Sequence, residues 1–251
     1  MIKIIMHGCN GKMGQVITNL VKNDKDAEIV AGVDINDSIK NDYPVFKSIK
    51  ECDVEADVVI DFAATACIPD LIEHCVNKKL PVVVCTTGLS EEMINQVNEA
   101  SKVIPVLRSA NMSLGINTIF KLLEVVSPLL KDAGFDIEIV EKHHNQKIDA
   151  PSGTALALAD VIKNSLTSDT EYVFDRSQKR EKRSKDEIGI SAVRGGTIVG
   201  EHEIIYAGTD EVIEIKHTAY SKAIFAKGAI QAAKYIAGKE AGMYDMKKVV
   251  E

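Results

Sequence analysis

Short, almost wholly apolar runs alternate with amphipathic stretches along the first 110 or so residues of the chain. Residues 2–6 (IKIIM) end near Gly8 and have the composition of a buried strand. Met13, Val16, Ile17, Leu20 and Val21 then recur at helical spacing. Residues 27–33 (AEIVAGV) read as a second strand that closes on Asp34. The cycle repeats through a strand at 57–62, a helix at 68–76 and a strand at 81–85. A helix opening on Ser90, a good N-cap residue, and a strand at 103–107 complete the series. Near-continuous apolar strands separated by helices predict a parallel sheet covered on both faces.

Beyond residue 113 the pattern changes. A helix is predicted over 116–130 and a strand over 136–140, with another helix beginning near Ala155. The runs 188–194, 199–206 and 212–218 are β-rich and have no helix between them, so they predict antiparallel or mixed strands. A last helix spans 223–236. The fold class is therefore α/β: a Rossmann-like doubly wound parallel sheet domain, followed by a smaller α+β domain with a mixed sheet. Within the second domain, between its helix and its later strands, lies the charged run at 175–187 (DRSQKREKRSKDE), which reads as a solvated, mobile loop.

The chain has 251 residues, 45% of them hydrophobic, with a formal net charge of −7. That acidity argues against a nucleic-acid or anionic-membrane surface, and no apolar run approaches a membrane span. The first residues read as a strand, not a leader. Cys9, Cys52, Cys67, Cys75 and Cys85 are scattered and unpatterned, which points to reduced thiols in a cytoplasm and to no metal cluster.

Two constellations carry chemistry. The first is GCNGKMG at residues 8–14, between the first strand and its helix. A G-x-G-x-x-G fingerprint from Gly8 would need glycine where Asn10 and Met13 stand. The glycines present are Gly8, Gly11 and Gly14, with Asn10 able to take positive φ at the turn. Asp34 lies where a dinucleotide site places its acidic residue. In a doubly wound sheet ligands sit at the carboxyl ends of the strands. Gly8, Asp34, Phe62, Thr86 to Gly88 and Ala110 to Met112 all fall at such ends.

The second is EKHHNQKIDAPSGTA at residues 141–155. Two histidines and Lys147 stand just before a Pro-Ser-Gly-Thr helix start. Free N–H groups there attract anions, so the segment suits a carboxylate with a proton moved beside it. With residues 86–88, 110–117, 193–202 and 238–246, these segments resemble the 4-hydroxy-tetrahydrodipicolinate reductase (dihydrodipicolinate reductase) family of diaminopimelate and lysine biosynthesis. The resemblance covers nearly the whole chain.

It implies an NADH- and/or NADPH-dependent reduction of a small cyclic dicarboxylate. It also implies that His143 donates or accepts the proton, that His144 and Lys147 hold the substrate, with Lys147 also a proton donor, and that Gly153 and Thr154 donate hydrogen bonds to a substrate carboxylate. Asp149 matches the pattern but receives no chemistry; bracing a neighbour or the turn is its expected part. On the cofactor side the residues are Gly8, Cys9, Asn10, Gly11, Lys12 and Met13 at the pyrophosphate, and Asp34 at the adenosine ribose. Thr86, Thr87, Gly88, Ala110, Asn111 and Met112 belong to the nicotinamide half. A charged Asp34 disfavours a 2′-phosphate, so NADH is expected to serve at least as well as NADPH. His202 and His217 are expected to be structural. The implied domains are 1–113 with 222–251 for the dinucleotide, and 114–221 for substrate binding and oligomerisation, in a homotetramer whose substrate cleft closes between domains.

Other readings fit less well. A semialdehyde dehydrogenase needs a nucleophilic cysteine in the second domain, and none lies beyond Cys85. A short-chain dehydrogenase needs Tyr-x-x-x-Lys, whereas Tyr220 and Lys222 are two apart. A sensor that kept the fold would have lost the His-His-Lys set.

Overall fold

The computed structural model describes residues 1–251. They form two compact units, Met1–Leu114 with Ala223–Glu251, and Gly115–Lys222.

The first unit begins β1 (Ile2–His7), α1 (Lys12–Val21), β2 (Ala27–Val33), β3 (Val45–Phe46), β4 (Val58–Asp61) and α2 (Ile68–Lys78). It continues with β5 (Val82–Val84), α3 (Glu91–Ala100) and β6 (Pro105–Arg108). The second unit holds α4 (Leu114–Asp132) after its first residue, β7 (Asp136–His143), α5 (Gly153–Ser165), β8 (Glu171–Phe174), β9 (Glu187–Arg194), β10 (Gly200–Ala207) and β11 (Val212–Ala219). The chain then returns to the first unit as α6 (Ala223–Ile236), β12 (Gly242–Tyr244) and α7 (Met246–Val249).

The first sheet has seven strands, all parallel, in the order β12-β6-β5-β4-β1-β2-β3. Its apolar strands are sandwiched as their composition requires. Ile4, Met6, Val58 and Ile60 pack on one face with α1 and α6, and Ile5, Val59, Val82 and Val84 pack on the other with α2 and α3. The strand order reverses between β1 and β4, which opens a crevice at their carboxyl ends.

The second sheet is mixed, in the order β11-β10-β7-β9-β8. β10 runs antiparallel to β7 and β11, while β9 runs parallel to β7 and β8. One face is covered: Ile137, Ile139, Ile204 and Tyr206 pack with Phe120, Leu123, Leu158 and Ile162 of α4 and α5. The Tyr206 hydroxyl, buried there, is 2.6 Å from Ser127 Oγ. The other face carries a charged ladder in which Lys142 contacts Glu201 and Lys216 Nζ lies 2.9 Å from Glu201 Oε1.

The charged run at 175–187 is mostly exposed, as its reading as a solvated loop expects, but it is anchored at two arginines. Arg183 is largely buried and donates to Asp136 Oδ1 at 2.9 Å, Glu138 Oε1 at 2.8 Å and the carbonyls of Ile137 and Glu187. Arg176 contacts the buried Glu187. A guanidinium has five donors in a fixed fork, so it can bind carboxylates and backbone together and pin a polar segment to the beginnings of β7 and β9.

Candidate active site

At the switch point of the parallel sheet lies a cavity of about 430 Å³, whose lining includes His7, Gly8, Gly11, Asp34, Lys47 and Phe62. Gly8 has φ +81°, and a Cβ on it would stand 2.7 Å from Phe62 O and 2.9 Å from Ala63 N. The turn after β1 is therefore pressed against the end of β4 as only glycine allows. Helices α3 and α5 start on Ser90 and Ser152, whose Oγ atoms accept from Met93 and Ala155. Helix α1 starts on Gly11, with no side-chain cap and no acidic residue in its first turn. Its N-terminal N–H groups and positive dipole end are thus left for an outside anion, which fits a dinucleotide's pyrophosphate.

Asp34 stands on the wall of this cavity. Its Oδ2 accepts from Asn10 N and its Oδ1 from Asn36 N, both at 2.9 Å. That fixes the carboxylate while leaving it lone pairs for a ribose. Positive φ falls on Gly8 and not on Asn10, so the turn does not use Asn10 as the sequence suggests. The Asn10 side chain instead bonds to Asn36 O and accepts from Asn41 Nδ2 at 2.8 Å. Cys9 is fully buried, and burial first, then the charge of Asp34, push its thiol up to about 11. Burial, helped by the charge of Asp61, raises the Cys85 thiol as well. Neither thiol is a nucleophile at neutral pH.

Thr86, Thr87 and Gly88 follow β5, and Ala110, Asn111 and Met112 follow β6, on the edge that carries Gly8 and Asp34. Lys12 and Met13 open α1. The structure adds a polar link at this edge that the sequence reading did not contain. Asp61, fully buried at the end of β4, lies 2.8 Å from His7 Nδ1 and accepts from Ala63 N at 3.1 Å and Thr86 Oγ1 at 2.6 Å. It ties the ends of β1, β4 and β5 together. The signal available was an acid ending an otherwise apolar strand.

In the second unit, alternation along β7 puts Ile137, Ile139, Glu141 and His143 on the helix-covered face. Register places His202 of β10 opposite Glu141, and Arg194 of β9 opposite His143. All four polar residues therefore share one face and can meet. Glu141 is fully buried. Its Oε1 accepts from Arg194 Nη2 at 2.6 Å and Ser152 N at 2.9 Å. Its Oε2 lies 2.8 Å from Arg194 Nη1 and 2.6 Å from His143 Nδ1. Burial opposes the charge on Glu141, yet Arg194, His143 and the Ser152 N–H outweigh it and hold the carboxyl below its usual range.

A carboxylate on Nδ1 sets the tautomer and the ring plane of His143, which leaves Nε2 for chemistry. Nε2 faces Gly200, where a Cβ would approach to 3.1 Å. The glycine keeps that nitrogen uncrowded. His202, packed edge-on to His143 with ring centroids 5.2 Å apart, lies 2.9 Å from Ser152 Oγ through its Nε2. Burial first, with the neighbouring His143, pushes His202 down to about 4. It is neutral at physiological pH and braces both the imidazole and the α5 cap.

The loop from β7 to α5 carries the remaining residues. The His144 carbonyl accepts from Lys147 N at 3.1 Å, and Lys147 Nζ lies 2.8 Å from Asp149 Oδ1. Gly153 and Thr154 are the first two residues of α5. Arg194 Nη2 donates to the Asp149 carbonyl at 2.6 Å, which ties the loop to Glu141. Glu141 and Arg194 had no assigned part in the reading of the sequence, while His202 was expected to be structural and Ser152 to shape the helix start. No group of His, Cys, Asp or Glu is placed to hold a metal ion, and no helix is long and apolar enough to cross a membrane.

Comparison with known proteins agrees over the whole length. Residues 2–112 match the family model for the N-terminus of dihydrodipicolinate reductase, and 115–250 that for its C-terminus. A 4-hydroxy-tetrahydrodipicolinate reductase of Caldanaerobacter subterraneus subsp. tengcongensis is 54% identical over 100% of this chain and 99% of its own. One from Clostridium tetani is 54% identical over 98% of this chain and 96% of its own. Among solved structures, a dipicolinate-bound dihydrodipicolinate reductase from Paenisporosarcina sp. TG-14 shares the fold, with a TM-score of 0.81 at 24% identity over 98% of this chain and 97% of that one.

Proposed function

Since the chain belongs to the dihydrodipicolinate reductase family, we propose that it reduces 4-hydroxy-tetrahydrodipicolinate to tetrahydrodipicolinate with NADH or NADPH, in diaminopimelate and lysine biosynthesis. The observation that carries this reading is the buried Glu141–Arg194 pair, which fixes His143 beside a cationic loop and a helix N-terminus, in a chain 54% identical to curated reductases.

In this reading Gly8 to Met13 and the open N-terminus of α1 hold the pyrophosphate, and Asp34 takes the adenosine ribose. Thr86 to Gly88 and Ala110 to Met112 support the nicotinamide half, with Asp61 holding Thr86 in place. A dinucleotide held there would supply a hydride for the substrate ring. The reduction also needs a proton, and the hydroxyl leaves as water. His143 Nε2 delivers the proton, with Lys147 as the second donor, while Glu141 balances the imidazolium that gives it up. Lys147, His144, Gly153 and Thr154 hold the two substrate carboxylates. The dipicolinate bound to the Paenisporosarcina protein is a dicarboxylate of this kind.

The test is oxidation of NADH, and separately NADPH, on adding freshly generated 4-hydroxy-tetrahydrodipicolinate. Turnover with kcat/KM for NADH at least equal to that for NADPH is expected, because Asp34 meets a 2′-phosphate with like charge. No turnover with either cofactor overturns the reading; a strong NADPH advantage overturns the part given to Asp34. A homotetramer built through the open face of the mixed sheet belongs to the same proposal, and light scattering that finds a monomer refutes it.

A further inference from the structure

Asp149 is an acid inside a segment otherwise built to attract anions. Its Oδ1 lies 2.8 Å from Lys147 Nζ, and its side chain is 58% exposed. Lys147 first, and among the other groups the N–H of Gly153 at the start of α5, hold its carboxyl below the usual range. Those two donors are the ones assigned above to a substrate carboxylate. A carboxylate of the protein therefore already sits on Lys147, close to the N–H of Gly153.

We propose that Asp149 is a built-in competitor for the substrate: it covers Lys147 and the N-terminus of α5 while the site is empty, and it turns out to water when a substrate carboxylate enters. The inference rests on the functional reading above and deepens it. The main chain is arranged for such an exchange. Arg194, itself held by the buried Glu141, fixes the Asp149 carbonyl at 2.6 Å. The backbone at 149 can therefore stay in place while the exposed side chain rotates about its own bonds. A partly exposed Lys–Asp pair is worth about 1 kcal/mol or less, so releasing it costs little.

The exchange filters ligands. A monocarboxylate that displaces Asp149 replaces one carboxylate by another at Lys147 and gains little. A dicarboxylate brings a second charged group, which the His144 ring can receive, and gains the difference. Asp149 thereby sets affinity and selects for two carboxylates, which a residue that merely orients Lys147 does not do. The two roles predict opposite signs on substitution.

The experiment is calorimetric titration of dipicolinate, and of the monocarboxylate picolinate, into the full chain with saturating NADH. Asp149→Asn and Asp149→Ser both keep the carbonyl that Arg194 holds, and their melting temperatures verify folding. Each is expected to bind dipicolinate at least about threefold tighter than the parent protein, and to gain more for picolinate, narrowing the discrimination. Asp149→Glu, which keeps the charge, should show no such gain. In turnover the change should fall on KM. Equal or weaker dipicolinate binding by the Asn and Ser variants overturns the competitor role and leaves Asp149 as a support for Lys147. If the parent protein neither binds dipicolinate nor turns over 4-hydroxy-tetrahydrodipicolinate, the functional reading itself falls and takes this inference with it.

Discussion

Glu141 is fully buried yet carries charge, and its partners explain how. Both oxygens are taken: two contacts come from Arg194, one from the Ser152 N–H and one from His143. A buried carboxylate so fully satisfied is costly to disturb. Glu141→Gln keeps the shape but leaves the Arg194 guanidinium without its counter-charge and His143 without a carboxylate on Nδ1. We expect kcat to fall at least about tenfold, the usual scale for a group that orients a functional imidazole. The dissociation constant for NADH should stay near that of the parent protein, because the residues proposed to hold the dinucleotide belong to the other unit. Stopped-flow turnover together with cofactor titration checks this. Unchanged kcat in a folded Glu141→Gln protein would show that His143 needs no orientation from this acid.

Elements differ in how well the chain announces them. The parallel strands and their helices are legible because burial on both faces forces continuous apolar runs, as in residues 58–61 and 82–84. The helix start at Ser152 is legible from its serine cap. β3, β8 and β12, two to four residues each, are not. They are too short for a period and exist because a neighbouring strand offers hydrogen bonds, as β6 does through the pairs Gly242–Pro105 and Tyr244–Leu107. Nor is the anchoring of Arg183 legible, since its acceptors Asp136 and Glu138 lie more than 40 residues away. The candidate site divides in the same manner. His143, His144 and Lys147 stand in one local motif. Arg194 and His202 join Glu141 only through strand register across β9, β7 and β10, and register is a long-range property.

At the scale of the whole molecule, the same network couples folding to acidity through His202. The ring is neutral in the fold, with a value near 4 set first by burial and then by the neighbouring His143. In the unfolded chain a histidine titrates near 6.5. As pH falls through that value, the unfolded chain binds a proton that the folded chain refuses until about pH 4. Stability is therefore lost on acidification across this window, with a slope of one proton. Between pH 7 and pH 5 the loss from His202 is about 2 kcal/mol. His217, also lowered by burial, adds in the same direction, while Glu141, held below its usual range, contributes its own loss only at lower pH. His202→Gln removes the titration and keeps a hydrogen-bonding side chain opposite Ser152. Urea unfolding at pH 7 and pH 5 should show a smaller drop for His202→Gln than for the parent protein, by about those 2 kcal/mol. An equal drop in the two proteins would mean that the acid sensitivity of the fold lies elsewhere and that His202 is protonated within it. The difference also bears on catalysis. A neutral His202 leaves Arg194 as the only fixed cation on Glu141, so in the proposed mechanism the proton passed by His143 is the one change of charge that the network around Glu141 must absorb.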